Sequence, residues 1–567
     1  MPYYTNFLGL YKPSRNDNLA MDTTLADNFS SIDSKLGSSL TDEKGVTFLT
    51  LKERLASIAV DTSIEGIALA SEYNLIGDGS TDDHEELQKM FNDSEGKVLH
   101  LEYGKTYGIA SGYTVFIKSN TTVISHGAKF KKLSTGTTYP LELSGVNIWV
   151  DNITLVPFGT FNDVGLKITG TQIFIETVDI TTDIANVGGN AIDFNGLFIS
   201  NALYVTIGTI KAKNWERTVQ IASSQHITIG YFDIEFFSLA VYLNDVKYFR
   251  SYGAHIRKKS SQADGDAGEN SILIESKSHY ASEDIYIANW LAEETGEHGY
   301  RLGGGYTISR VTFDNCTAKE TGQGRNGNGT TEAGVGHGGC GFKVLGPTIN
   351  GGYHRDITFN NCKAINGRDD ILDGSLNFAG FYIGKCKNVT INSPTVDTDK
   401  VSTSARSWVN GIEIIGSEEV NINNPNIHYV NNHSIHIQDY QQDGYDWGSL
   451  ISRIVINGGI LATPLKNNVN VEAHYYTFRR LVVNNVLLEG GENSIKAIKD
   501  GTGDYLTCFA SGYISIAPSQ FSLDLTNEWI AQMSGIFTSS VNPCSDGSTF
   551  SSTAGFKIRK GGVWVDY

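Results

Sequence analysis

Carboxylates gather immediately upstream of one kind of short strand in the middle of this chain. AEETGEH brings Glu293, Glu294, Glu297 and His298 to the start of GYRLG at 299–303. AKETGQGRNGNGTTEAGVGHGGC brings Glu320, Arg325, Glu332 and His337 to GFKVL at 341–345. KAINGRDDILDGSLNFA brings Arg368, Asp369, Asp370 and Asp373 to GFYIG at 380–384. Glycoside hydrolysis needs two carboxyl groups, one protonated to donate to the leaving oxygen, the other ionised as nucleophile or as base for water. Glu332 with Asp369, Asp370 or Asp373, and Glu297 with Asp369, are the candidate catalytic pairs. The same residues admit two other chemistries. β-Elimination from a uronate would use Arg301 or Lys343 as base. Phosphodiester cleavage would use the Asp cluster to hold a divalent cation such as calcium, with His337 or His298 as acid and base. No other cofactor is expected. No Ser-His-Asp or Cys-His set stands in a recognisable local context, which disfavours acyl transfer.

The strands that follow these acids define the architecture. GYRLG, GFKVL, GFYIG and GIEII (411–415) each run small, apolar, polar, apolar. Each is followed by a second alternating run: VTFDNC, ITFNNC, VTINSP and VNINNP. Short alternating runs returning at one phase are the mark of a stacked solenoid. The inward position traces through Leu141, Leu166, Ile192, Val219, Val241, Ile272, Tyr300, Phe342, Phe381, Ile412, Ile435, Val469 and Ile495. A coil of this length fits a right-handed parallel β-helix, an all-β fold in which coils stack ~4.8 Å apart and extra residues become loops. Alternation then points Arg301, Lys343, Tyr382, Glu413 and His436 outward in one column. That column, with Arg325 and His337 from the long loop, is expected to be the binding floor for an extended polymer. Asn315, Asn361, Asn424, Gly458 and Asn485 share a phase just past the second strand, where a tight corner needs a left-handed backbone. Cys316 and Cys362 occupy one position of adjacent coils and read as stacked buried thiols.

Composition limits the partners. Lys and Arg number 44 against 62 Asp and Glu, a net charge of −18, which argues against nucleic acid. No run of ~18 apolar residues offers a membrane span, and the opening MPYYTNFLGLYKP lacks the pattern of a secretory signal. Residues 1–66 are polar and differ from the rest; they read as an attachment or oligomerisation segment. Residues 67–114 hold GDGSTDDHEELQKMF, a turn whose Ser80 or Thr81 would cap a helix starting near Asp82, with Leu87, Met90 and Phe91 on its apolar face. Such a helix would cover the open end of the coils, which run over 115–498. Residues 499–567 lose the repeat and read as a C-terminal cap or trimerisation region.

The turn–GDGSTDD–helix unit resembles the N-terminal cap of the pectate-lyase-like β-helix superfamily. With coils behind it and a distinct segment before it, the chain resembles bacteriophage tailspike and tail-appendage depolymerases. The opening LGLYKPSRNDNLAMDTTLADNFSSIDSKLG is similar to the start of appendage proteins from phages of Gram-positive hosts. The resemblance implies a homotrimer on the virion, joined through its N-terminus to a tail or baseplate protein. It implies a β-helix that binds, and often cleaves, host surface polysaccharide or wall teichoic acid. These proteins share no fixed catalytic motif, so the resemblance transfers no site residue. Two functional classes remain: a depolymerase, favoured by the acid-rich loops, and a binding-only adhesin. A secreted polysaccharide lyase unrelated to phage is disfavoured by the missing signal.

Overall fold

Alternating apolar residues on short strands can hide one face only by stacking, and the chain does so coil upon coil. The computed structural model describes residues 66–566 apart from 159–163, 183–194, 259–269, 279–280, 323–338, 350–351, 368–378, 399–407, 439–450, 500–506, 525–529, 537–548 and gaps of one to four residues beyond 462, together with Tyr3–Tyr4 and Tyr11–Lys12. Residues 1–66, expected to be an attachment or oligomerisation segment, therefore lie almost wholly outside the described residues. The architecture is a right-handed parallel β-helix.

A middle coil has three strands, Tyr300–Gly304, Ser309–Asp314 and Thr317–Lys319. Each pairs in parallel with its equivalent in the next coil, Phe342–Leu345, His354–Asn360 and Lys363–Ile365. Three sheets thus run along the axis. In the first sheet the inward register runs Leu141, Leu166, Leu197, Val219, Val241, Ile272, Tyr300, Phe342, Phe381, Ile412, Ile435, Val469, Ile495. Every one of these is buried. One expected member is corrected: Leu166 pairs with Leu197, not Ile192, which lies in 183–194 outside the described residues. The insertion displaced the apparent phase. In the middle coils the inward residues are rings. Phe342 lies between Tyr300 and Phe381, centroids 4.6 and 4.7 Å away and nearly coplanar in orientation.

The small residue opening each first-sheet strand has a steric cause. A Cβ at Gly380 would stand 2.6 Å from Val396 Cγ2, and one at Gly411 2.6 Å from Ile427 Cγ2, both on the third sheet. The second-strand corner also behaves as expected: Asn315, Asn361, Asn424, Gly458 and Asn485 all have positive φ, between 49 and 64°. The axial amide ladder, however, is built mainly by the preceding column. Asn392 donates to Asn360, Asn423 to Asn392, Asn457 to Asn423 and Asn484 to Asn457, at 2.8–3.0 Å. Cys316 and Cys362 are free and buried.

At the N-terminal end the cap helix is His84–Asp93, with Leu87, Met90 and Phe91 buried. Its start departs from expectation. Asp78–Asp82 is a strand, and neither Ser80 nor Thr81 caps the helix. Asp78 instead accepts from the Ser80 and Thr81 backbone N–H groups, both at 2.7 Å. The buried Asp83 takes the backbone N–H groups of Ile76, Gly77 and Gly108. Asp78 thus holds its own turn, and Asp83 fastens the cap to the first coil. Parallel pairing continues past 498 through Thr507–Ile516 and Ile530–Ile536, so the fading repeat in the sequence does not end the ladder. Antiparallel strands Thr549–Ser552, Gly555–Lys560 and Val563–Asp566 follow.

Candidate functional site

The outward column of the first sheet is in register as its alternation requires. Arg301 pairs with Lys343, Lys343 with Tyr382, Tyr382 with Glu413, Glu413 with His436 and His436 with Asn470. Chain connectivity adds a second feature. Segments 183–194, 259–269, 323–338, 368–378 and 399–407 all join the third sheet of one coil to the first sheet of the next. The insertions therefore leave and rejoin the scaffold at one corner, beside this column.

Two charged groups occupy the column. In the first, Arg301 Nη1 lies 3.2 Å from both oxygens of Glu297, and Asn270 donates to Glu297 Oε2 at 3.1 Å. Burial alone would raise the Glu297 carboxyl; His298, Arg301 and Lys343 overcome it and hold it well below the ordinary value. His298 is wholly buried. Its Nδ1 accepts the Cys340 N–H at 2.9 Å, so the ring proton sits on Nε2, 3.2 Å from Glu297 Oε1. Burial, then the Lys343 charge, push His298 down to about 3. Wholly buried and turned toward Glu297, it is placed to orient that carboxylate. Glu297, ionised, suits the base or nucleophile half of a carboxyl pair. Lys343 is half-buried, 5.6 Å from the centre of the Tyr382 ring, and burial lowers its pKa.

The second group is Glu413, His436 and Glu472. His436 Nδ1 lies 3.7 Å from Glu413 Oε1, and its Nε2 3.7 Å from Glu472 Oε2. Glu413 also accepts from Asn410 at 3.0 Å and Gln438 at 2.6 Å. Asn470 donates to Glu472 at 2.7 Å. Burial alone would lower His436, yet the flanking carboxylates raise it to about 9. An imidazolium thus sits between two carboxylates at neutral pH. Its stabilisation is complete below its unfolded value near 6.5 and is lost as pH rises through about 9. His436→Gln should flatten the alkaline limb of thermal stability over that window; parallel curves for wild type and variant would contradict the assignment.

One expectation about this face is corrected. Tyr382 and Glu413 point away from the core but are not an open floor, being only 4% and 2% exposed. Tyr382 belongs to a second apolar cluster with Cys340, Ala379 and Ile415. Exposure is greater at the ends of the column, where the Arg301 side chain is 26% and Glu472 30% exposed. Glu332, Asp369, Asp370, Asp373, Arg325 and His337 lie outside the described residues. Glu472 was not anticipated, although NVNVEA carries the signal: it is the next outward position after Asn470. Among the described residues no group of three or more His, Cys, Asp or Glu could hold a metal ion, and no helix is long and apolar enough to cross a membrane.

The fold places this chain in the class of parallel β-helix proteins, which includes tailspikes and glycoside hydrolases. No family model matches the chain, and no curated protein matches it. Three solved structures to which it is similar span that class. The catalytic unit of the thermostable GH87 α-1,3-glucanase from Streptomyces thermodiastaticus strain HF3-3 is 10% identical, with a TM-score of 0.42 over 80% of this chain and 70% of that one. The family 28 exopolygalacturonase of Yersinia enterocolitica is 11% identical, with a TM-score of 0.40 over 77% and 78%. Tailspike protein 3 of bacteriophage CBA120 is 10% identical, with a TM-score of 0.35 over 97% and 76%.

Proposed function

We propose that the chain is a phage tail appendage that binds a host cell-surface polymer, a polysaccharide or wall teichoic acid, and hydrolyses it with paired carboxylates. The observation that carries this reading is the convergence at one corner. Five insertions, two of them acid-rich, join the scaffold beside a column already loaded with Glu297, Arg301, Lys343, Glu413, His436 and Glu472. Sites on rigid scaffolds are commonly built this way, with chemistry on the loops and orientation from the sheet. Glu332, Asp369, Asp370 and Asp373 supply the acid and its partner carboxylate. Arg301, at the open end of the column, holds the polymer. The N-terminal segment attaches to the tail, and the working form is a homotrimer.

Asp370→Asn and Glu332→Gln should each abolish release of reducing ends from the host polymer while leaving binding within a few fold. Arg301→Ala should weaken binding instead. Unchanged turnover in both acid variants would remove the proposed site. A second reading, binding without cleavage, is favoured by the burial of Tyr382 and Glu413, which closes the middle of the column. Absence of any cleaved product with polymer that the protein retains would select it. Unsaturated uronate among the products would select elimination.

A further inference from the structure

The outer face of the second sheet carries an unusual number of rings for a surface that solubility alone would make polar. Trp149 and Phe174 are outward neighbours in register, half-buried and stacked at 6.1 Å. In the following coils the rings move to the edge of the same sheet. Tyr204, His226 and Tyr248 stack face to face, with centroids 4.6 and 4.5 Å apart. The two tyrosines are 51% and 42% exposed.

Their backbone makes the choice of residue informative. All three sit at φ of 56–57°, a region that favours Gly, Asn and Asp and is costly for a bulky side chain. Other coils fill the equivalent edge with polar residues only, Asn120, Asn147, Gln172, Asp284, Arg310, Asp356, Asn388 and Glu419, at φ of 55–59°. Rings stand here although other coils meet the same backbone with polar side chains, so backbone geometry does not account for them.

Beside this wall the floor is low. Thr206 and Thr228 form the outward column, and Gly208 and Gly230 follow them. The strip opens into a cleft of ≈ 480 Å³ lined by Arg250, Tyr252, Asp284, Tyr286, Arg310 and Asp356 among others; Asp284 is held by Arg310, and Asp356 accepts from Asn388. Tyr252 is 48% exposed and lies 6.3 Å from the Tyr286 ring. The two arginines differ. Arg310 is clamped to Asp284 at 2.7 and 2.8 Å and to Glu283 at 2.7 Å. Arg250 is exposed and makes no ion pair or side-chain hydrogen bond among the described residues. An uncommitted guanidinium between tyrosines suits an anionic group on a ligand whose other surfaces are apolar and hydroxylated.

We propose that this face, from the Tyr204–His226–Tyr248 wall to the Arg250 cleft, is a second binding strip that takes an anionic polysaccharide lying along the rod axis. It rests on the reading of the ligand as a surface polymer but is separate from the first-sheet site. The ring edges meet sugar C–H surfaces, the threonines and phenols meet hydroxyls, and Arg250 meets a carboxylate or phosphate.

The test is retardation of the full-length protein in native gels containing polygalacturonate, poly(glycerol phosphate) teichoic acid or neutral dextran. Wild type should be retarded by one of the two anionic polymers and not by dextran; which one identifies carboxylate or phosphate as the anion. Tyr204→Asn/Tyr248→Asn, which keeps the favoured backbone residue and removes the rings, should weaken retention about tenfold or more, as should Arg250→Gln. Neither should alter turnover of a short substrate. Retention unchanged in these variants but lost in Arg301→Ala would overturn the strip and leave the first-sheet reading standing. No retention of wild type by any of the three polymers would overturn the strip, whereas loss of the first-sheet reading requires that host polymer too is neither bound nor cut. A change in oligomer size of the ring variants by light scattering would make this face a contact between copies, and also overturn the proposal.

Discussion

Phe342→Ala should cost about 3–5 kcal/mol and open the middle of the rod. Phe342 is fully buried. Its ring is stacked between Tyr300 and Phe381, at 4.6 and 4.7 Å. It also meets Phe313 and Phe359 edge-on, at 6.2 and 5.7 Å. Truncation removes two stacked and two edge contacts at once, beyond the apolar area lost from burial. A solenoid has no distant contacts to compensate, because each coil touches only its neighbours. The damage should therefore be local. Amide exchange should accelerate in Tyr300–Gly304, Phe342–Leu345 and Ala379–Gly384, and a protease should nick the chain nearby, while the coils around Leu203–Ala222 stay protected. Phe342→Leu, which retains much of the apolar volume, should recover most of the loss. A cost below about 1 kcal/mol for the alanine variant would mean that the ring column is not a main support.

Much of this scaffold is readable from the chain because a two-residue period leaves little freedom. In GFKVL, GFYIG and GIEII a slip of one residue would turn Phe342, Phe381 or Ile412 out of the core and Lys343, Tyr382 or Glu413 into it, so register follows from alternation. The reading fails where that constraint lapses. Around 183–194 an insertion hides the true strand, and AIDF imitates it; the partner of Leu166 proves to be Leu197. Alternation also says which way a side chain points, not what lies over it. Tyr382 and Glu413 point outward yet are covered: Tyr382 lies in a second small apolar core, and Glu413 is held among Asn410, Gln438 and His436. The helix starts at His84, past the Ser80 or Thr81 cap that the sequence suggests, because Asp, Ser and Thr serve turns and caps equally well. The stack of Tyr204, His226 and Tyr248 does repeat in the sequence, at two intervals of one short coil, but each ring sits at the left-handed start of its strand, outside the apolar alternation that marks the core. Glu472 is legible in NVNVEA as the outward residue after Asn470, but a lone acid on a strand is a weaker signal than the denser acids of the long loops.

Glu297→Gln should destabilise the chain by about 3–5 kcal/mol at neutral pH, through charge and not through shape. Glutamine fills the same space and can still bond to Asn270. It cannot neutralise Arg301, 3.2 Å away, or offset the half-buried Lys343. Two cations would then share a poorly hydrated site without their anion. Lys343→Met in the same chain should recover part of the loss, because it removes one of the two uncompensated charges. The pH dependence separates this account from simple misfit. The native Glu297 carboxyl is held well below its ordinary value of 4.5, so its contribution is present above that value and fades as pH falls beneath it. His298 adds loss on the same side: neutral when folded, with its pKa lowered from 6.5 to about 3, it lets the unfolded chain take up a proton first as pH drops through that interval. Wild type should therefore weaken steadily below about pH 6.5, and its advantage over Glu297→Gln should narrow below about pH 4.5. A gap between the two that stays constant from neutral to acid, with no recovery by Lys343→Met, would show that Glu297 holds its neighbours by shape alone.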